Sequence, residues 1–333
     1  MSWILESVHS QVCPQHLGFI SLRWRSSMVD GSWRSQTTKP PMIRLEGKKI
    51  APRALEWLAS ATEPRIHTLY RQSVNLIDTR QGLLSVVLPS VGPGPFAIVA
   101  APAADSFAGF SMLDVQSPIV IRGRHIQLGN VEVEAANAED WRPRPDWRRL
   151  GEELNEARVS QLAALLRQYA PPDSFAPLAD GTKPEPDQTF QSKALRAAAD
   201  PARRLRRGLA RGNVGDAVEA AKRLAGLGGG VTPAGDDYLQ GAVHALWSRL
   251  DEERARPMGN AIVDEAAPRT NAISGEWLRA AARGEAGEDW HLLIRALASN
   301  RAVDEAVIQL IHRGHTSGAD ALAGFLAIFL ALE

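Results

Sequence analysis

The sequence has a single cysteine, Cys13, among its 333 residues. One thiol cannot form an intramolecular disulfide, so the fold depends on its core, as is usual in a reducing compartment. Long apolar runs are also missing. The longest, residues 321–332, is interrupted by Gly324 and is shorter than the roughly 20 residues that cross a bilayer. We therefore expect a cytoplasmic protein with no membrane partner.

The sequence has no excess of charge of either sign, because 38 Lys and Arg residues balance 38 Asp and Glu residues. Nucleic-acid-binding proteins usually carry a broad positive field, so nucleic acid is not an expected partner. A helical stretch does concentrate arginine, and its spacing favours a solvated face. These residues are Arg203, Arg204, Arg206, Arg207 and Arg211. A small anionic substrate is the more natural partner of a neutral chain.

Residues 66–135 contain short runs of Val, Ile and Leu separated by Gly and Pro. The runs lie at residues 73–78, 83–88, 96–100, 119–122, 125–128 and 131–134. They predict strands, and because no helical pattern intervenes they predict antiparallel pairing in a barrel-like or folded sheet. Residues 80–82 and 128–130 are the expected hairpin turns.

A helical pattern replaces the strand pattern after about residue 146. Apolar spacing near 3.6 predicts helices at about residues 150–166, 191–211, 214–226, 233–250, 271–283, 288–299, 301–313 and 317–332. Five prolines predict a surface loop at residues 171–189. The predicted fold is α+β: a poorly ordered or misassigned extension (1–41), a β-rich domain (42–145) and an all-α domain (146–333).

The glycine-rich segment 226–241 has the strongest chemical pattern. Thr232 and Pro233 predict a helix start, where Thr can cap free N–H groups and Pro loses no bond. Glycines before a helix start let N–H groups approach an anion. Gly228, Gly229, Gly230, Thr232 and Gly235 are therefore candidate phosphate ligands. The Lys and Ser/Thr of a Walker motif are missing, and a plain glycine-rich turn remains an alternative.

Residues 314–324 repeat this pattern in a shorter form. Gly-x-Asp-x-Leu-x-Gly occurs at 235–241 and again at 318–324, each time after a threonine. Small residues let helices approach closely, so the two starts are predicted to meet around one pocket. Asp236, Asp237, His315 and Asp320 are candidate catalytic residues, and Thr316, Ser317 and Gly318 are candidate binding residues. Asp236 and Asp237 are also candidate ligands for Mg²⁺, although no cofactor is required by the pattern.

Two polar residues of the predicted sheet are weaker candidates. His67 and Asn75 stand at the entry to an apolar strand and are predicted to contact substrate across the domain interface. Turn chemistry and surface exposure explain them equally well.

Together these segments resemble the family of the oxamate carbamoyltransferase subunit AllH. The resemblance rests on residues 67–76, the Gly94-Pro95 turn, residues 226–241 with Thr-Pro-x-Gly-Asp-Asp, residues 270–282, and residues 314–324. It implies phosphorolysis of oxalurate to oxamate and carbamoyl phosphate in purine or allantoin breakdown, together with other carbamoyltransferase subunits. Two alternatives remain, a non-catalytic anion-binding subunit and a Mg²⁺-dependent hydrolase of a phosphorylated small molecule.

Overall fold

The alternation of apolar residues between residues 43 and 140 produces one sheet. The structure, a computed structural model, describes residues 41–102, 109–180 and 190–332, with side chains in the last segment from residue 193. The strands in these residues are β1 (Ile43–Ile50), β2 (Arg65–Leu69), β3 (Ser73–Ile77), β4 (Leu83–Val87), β5 (Ala97–Pro102), β6 (Ile119–Arg122), β7 (His125–Leu128), β8 (Val131–Glu134) and β9 (Glu139–Asp140). The predicted extension, residues 1–41, lies outside the described residues except for Pro41.

The strand order is β2-β3-β4-β5-β1-β8-β7-β6, with β9 also paired to β1. The hairpins β3/β4 and β7/β8 form at the predicted turns and are antiparallel. The sheet is mainly antiparallel, as predicted, although β4 and β5 are parallel, as are β1 and β8. β1, which precedes the predicted strands in the chain, lies between β5 and β8 in the middle of the sheet.

The helices follow the sheet in the chain, apart from one that precedes β2. They are α1 (Pro52–Ser60), α2 (Trp147–Glu153), α3 (Glu156–Tyr169), α4 (Phe190–Ala210), α5 (Val214–Leu224), α6 (Ala234–Arg249), α7 (Glu252–Ala266), α8 (Ala272–Ala282), α9 (Glu288–Ser299), α10 (Val303–Ile311) and α11 (Ser317–Phe329). The predicted α+β class, with a sheet first and helices second, is confirmed. Of the helices described, none is both long and apolar enough for a membrane span.

Several predicted helix boundaries were wrong. The expected helix at 150–166 is two helices, because Asn155 accepts a hydrogen bond from the Arg158 N–H and begins α3. α7 was missed because Pro257 lies inside it. The predicted surface loop contains a buried 3₁₀ turn, Ala176–Leu178, packed beside the buried Phe175. Residues 181–189 of that loop lie outside the described part.

α6 and α11 form the centre of the helical region. Both are buried along nearly their whole length, from Ala234 to Ser248 and from Gly318 to Phe329. A helix that is apolar on all sides needs neighbours on all sides, and the other helices supply them. The sheet reaches this region through a buried cluster of Ile77, Leu83, Phe96, Ile273 and Ala280. Residues 42–333 form one contact unit, and the proposed boundary at residue 145 stays a prediction.

Candidate active site at the crossing of two helix starts

The glycines of the two repeated motifs lie against the backbone of the opposite helix. A Cβ added at Gly241 would overlap the Ala321 carbonyl oxygen, and one at Gly324 would overlap the Tyr238 carbonyl oxygen. Only glycine permits this approach of α6 and α11. The predicted meeting of the two glycine faces is therefore observed, and it places the two helix starts side by side.

A cavity of about 170 Å³ opens beside these two starts. Helix α6 and its preceding turn contribute Thr232, Asp237 and Gln240, and α11 contributes Ser317, Gly318 and Ala321. The rest of the wall consists of Trp277, Gly287, Asp289, Trp290, Leu310, Arg313 and Gly314. The wall thus combines hydroxyl and carboxyl groups with indole rings and one guanidinium, among the residues described.

Asp237 lies in the cavity wall, and one of its two carboxyl oxygens has no hydrogen-bond partner in the described structure. Its Oδ2 is buried and accepts no hydrogen bond in the described structure. Burial, and then the charge of Asp320, raises the pKa of Asp237 well above its ordinary value, although the Ser317 and Thr232 hydroxyls act in the opposite direction. Those two hydroxyls also lie 2.8 Å apart and share a hydrogen bond. Burial therefore favours the neutral form of Asp237, which is the form that can donate a proton into the cavity.

Asp236 has a different environment from its neighbour. Its Oδ1 accepts the Gly226 N–H at 2.8 Å, and its Oδ2 accepts the hydroxyls of Ser274, at 2.8 Å, and Thr270. Burial raises its pKa, while these three donors stabilise the charged form. Asp236 therefore joins the glycine-rich turn to the start of α8 and does not line the cavity.

The donor set around the acidic pair does not fit Mg²⁺. Both oxygens of Asp236 are occupied by protein donors, which leaves Asp237 alone to face the cavity. Across the described residues, no group of three or more His, Cys, Asp or Glu side chains comes together that could hold a metal ion. The argument for a Mg²⁺-dependent hydrolase, which depended on paired ligands, loses its structural basis.

Asp320 lies behind the cavity wall. Its Oδ1 accepts the Phe175 N–H at 2.5 Å, and its buried Oδ2 has no partner in the described residues. Burial raises the pKa of Asp320 to about 7, with Asp173 adding to the effect and the Phe175 N–H and Thr316 hydroxyl opposing it. Asp320 thus influences the cavity through its charge on Asp237.

The residues around the start of α11 have different environments. Ser317 and Gly318 line the cavity, whereas Thr316 is buried outside its wall. The His315 side chain is 81% exposed, and its Nδ1 lies 3.5 Å from Asp173 Oδ2. The structure therefore separates His315 from Asp237.

Two amides of the predicted anion cradle are already bonded within the protein. The Gly235 N–H donates to the Leu227 carbonyl at 2.8 Å, and the Gly318 N–H donates to the Arg313 carbonyl at 3.0 Å. Thr232 does not cap α6, which begins after Pro233; its hydroxyl bonds Ser317 instead. The cavity wall does not include Gly228, Gly229 and Gly230, which come before Thr232 in the chain. Gly228 adopts a φ of 111°.

His67 and Asn75 lie in the sheet, apart from the cavity wall. Asn75 donates to Thr68 Oγ1 at 2.8 Å and accepts the Ser85 hydroxyl at 2.6 Å, so its amide links three strands. Burial, and then the charge of Arg65, lowers the pKa of His67. Gly94 of the β region does lie against the cavity wall, because a Cβ added there would be 3.2 Å from Trp277.

Sequence reasoning missed the ion pair in the cavity wall. Asp289 pairs with Arg313 and also accepts the Gln309 Nε2–H at 3.2 Å. It also missed Gln240, Trp277 and Trp290. The position of Arg313, directly before the second motif, was the signal in the sequence that could have indicated it. Asp289 lies 24 residues earlier, and no local spacing connects it with Arg313.

Comparison with known families identifies the region around the cavity. Residues 224–329 match the family model of the oxamate carbamoyltransferase subunit AllH, and no solved structure matches the chain. The family name supports a role as a carbamoyltransferase subunit in oxamate metabolism. The matched span, about a third of the chain, includes every cavity residue named above. The resemblance inferred from the motifs is thus confirmed, and in this span the chain is similar to AllH.

Proposed function

We propose that the chain is a cytoplasmic subunit of a carbamoyltransferase that acts on a small carbamoylated acid. The reaction is phosphorolysis of oxalurate, or a close analogue, to oxamate and carbamoyl phosphate in purine or allantoin catabolism. The supporting observation is Asp237, a buried carboxyl with a raised pKa and one unpartnered oxygen in the wall of a small cavity. Other carbamoyltransferase subunits are the proposed partners, in keeping with the family name.

The reaction needs a proton at the leaving nitrogen. A phosphate oxygen forms a bond to the ureido carbonyl carbon, the bond from that carbon to the amide nitrogen breaks, and the nitrogen leaves as the amide of oxamate. Hydrogenphosphate loses a proton while the nitrogen gains one. A positioned neutral carboxyl is suited to donate that proton, so we assign Asp237 as the general acid.

The charges of the cavity wall also suit anionic reactants. Arg313 is the cation among the lining residues described, and Asp289 offsets it. A protonated Asp237 adds no negative charge, whereas an ionised Asp237 would repel phosphate and the substrate carboxylate. The hydroxyls of Thr232 and Ser317 supply neutral donors for an oxygen that develops charge during the attack.

Asp237→Asn in the assembled enzyme tests this proposal. The amide keeps the shape of the side chain but cannot transfer the proton, so we expect kcat to fall by about 10²-fold or more. The measurement is carbamoyl phosphate formed from oxalurate and phosphate, by the chain alone and with its partners. Asp78→Asn is the control, because Asp78 is similarly buried but lies in the turn between β3 and β4. Unchanged kcat in Asp237→Asn would identify the chain as a non-catalytic, anion-binding subunit.

A further inference from the structure

Arg313 is held in a fixed position at the cavity wall. Its Nη1 pairs with Asp289 Oδ2, and Gln309 donates to the other oxygen of that carboxylate. The guanidinium lies across Gly287, where an added Cβ would be 3.5 Å from Nη1 and 3.6 Å from Nη2. A guanidinium has five N–H donors, so one carboxylate does not exhaust it.

The apolar part of the wall is flat. The indoles of Trp277 and Trp290 line the cavity together with Leu310 and Ala321. Phe96 packs edge-on against Trp277, with ring centroids 4.8 Å apart, and His244 packs edge-on against Trp290 at 5.2 Å. Packing against Phe96 and His244 holds these rings in place. Flat rings beside a guanidinium favour a planar anion.

The charge of the cavity wall at Arg313 favours binding of a carboxylate over binding of a phosphate. Asp289 already neutralises Arg313, so a second anion with one charge is tolerated better than a dianion. A carboxylate also matches the planar fork of a guanidinium and can accept two parallel hydrogen bonds. Phosphate is better placed near the Thr232 and Ser317 hydroxyls, beside Asp237.

We propose that Arg313 binds the carboxylate of the acid that gains or loses the carbamoyl group. The substrate class is then a planar acid whose carboxylate is conjugated or directly attached to the carbonyl that bears the reacting nitrogen. Arg313 selects the acid, while Asp237 acts on the nitrogen. This inference rests on the proposed function, because it divides one reaction between two parts of the same cavity.

The test uses the assembled enzyme in the reverse direction, with carbamoyl phosphate and oxamate. In Arg313→Gln we expect the KM for oxamate to rise by roughly ten- to a hundredfold, the usual loss for a charged hydrogen bond. The KM for carbamoyl phosphate should change less than about twofold. The preference for oxamate over its neutral analogue oxamide should shrink. A rise confined to the KM for carbamoyl phosphate would overturn the inference.

Two further variants separate a binding role from a structural one. Arg283→Gln is the matched control, since Arg283 pairs with Glu285 at 23% and 14% side-chain exposure, against 26% and 9% for Arg313 and Asp289. It should leave the KM for oxamate unchanged. If Arg313→Gln does not fold, Arg313→Lys keeps the charge but loses the two-point geometry, and it should still raise the KM for oxamate.

Calorimetric titration of oxamate into the chain separates this inference from the proposed function. Oxamate binding that Arg313→Gln abolishes, in an assembly without transferase activity, would support Arg313 and refute the transferase role. An active assembly whose Arg313 variants keep the wild-type KM for oxamate would refute Arg313 alone. If oxamate neither binds to nor reacts with the wild type, both fail.

Discussion

Three buried aspartates at two helix starts have three different environments. Asp236 accepts three hydrogen bonds, whereas Asp237 and Asp320 each retain an oxygen without a partner in the described residues. The unpartnered oxygens are compatible with neutral carboxyl groups, which burial favours. The same residue type therefore serves as an anchor in one position and as a candidate acid in the next.

Asp320 makes the stability of the protein depend on pH. Its pKa is about 7 in the folded chain, above the ordinary value of 3.8. Between about pH 3.8 and pH 7, the folded state therefore binds more protons at Asp320 than the unfolded state does. The stabilisation is complete below about pH 3.8 and is lost as the pH rises through about 7. A pKa difference of one between the two states corresponds to about 1.4 kcal/mol. Protonation of Asp320 therefore contributes at most a few kcal/mol to the free energy of unfolding.

Asp320→Asn should remove this contribution. We expect the unfolding free energy of the variant to fall less steeply than that of the wild type between pH 4 and 7, as measured by denaturant titration at a series of pH values. The asparagine can still accept the Phe175 N–H, so the contact to the loop is retained. Parallel pH profiles for the two proteins would contradict the assignment of a raised pKa.

At the scale of elements, the close packing of α6 against α11 builds the site. Gly241 and Gly324 bring backbone against backbone, which moves the starts of both helices together. The Gly235 and Gly318 N–H groups at these starts are already bonded within the protein and are not free to bind an anion. The site is therefore a product of the pair of helices, and side chains supply its chemistry.

Gly241→Ala should separate the pair. The new methyl would overlap the Ala321 carbonyl oxygen, so we expect a loss of about 1–3 kcal/mol in unfolding free energy, together with lower activity. Gly215→Ala in α5 is the control, because the nearest atom there is 3.5 Å away. The control should be neutral or stabilised by up to about 1 kcal/mol, since alanine favours helix. Equal stabilities of the two variants would argue against the tight crossing.

At the scale of the whole molecule, the sheet supports one wall of the cavity. Phe96 packs against Trp277, Gly94 lies beside the same indole, and Lys49 pairs with Glu288 at 3.2 Å, next to Asp289. These contacts connect the strand region to residues that line the cavity. We infer that the sheet contributes to substrate binding by holding Trp277 and the start of α9 in position.

Gly94→Val tests this support from a distance. A Cβ at this position would be 3.2 Å from Trp277 Cη2, and the branched side chain should displace the indole. We expect the KM for oxamate to rise several-fold and the tryptophan fluorescence to change. Gly82→Val is the matched control, because its Cβ would also be 3.2 Å from an indole, that of Trp57, away from the cavity. The idea fails if both variants keep the wild-type KM.

Local patterns predicted most of the elements. The six expected strands occur within one or two residues of their predicted positions, because β-branched runs between Gly and Pro carry their own signal. The strands β1, β2 and β9 and the helices α1 and α7 were missed. β1 mixes apolar with charged residues and is separated from the other strands by α1, and α7 contains Pro257, which ordinarily interrupts a helix.

The sequence alone determined the class of the fold and the crossing of the motif helices. The spacing of apolar residues, the turn residues and the repeated glycines each determine structure within their own segment. Of the residues predicted in this way, Asp237, Thr232, Ser317 and Gly318 line the cavity. Tertiary structure decided which aspartate lacks partners, that His315 faces solvent, and that Asp289 meets Arg313. Desolvation and ion pairing depend on atoms that are distant in the chain but close in space. The spacing of residues within one segment therefore cannot predict them.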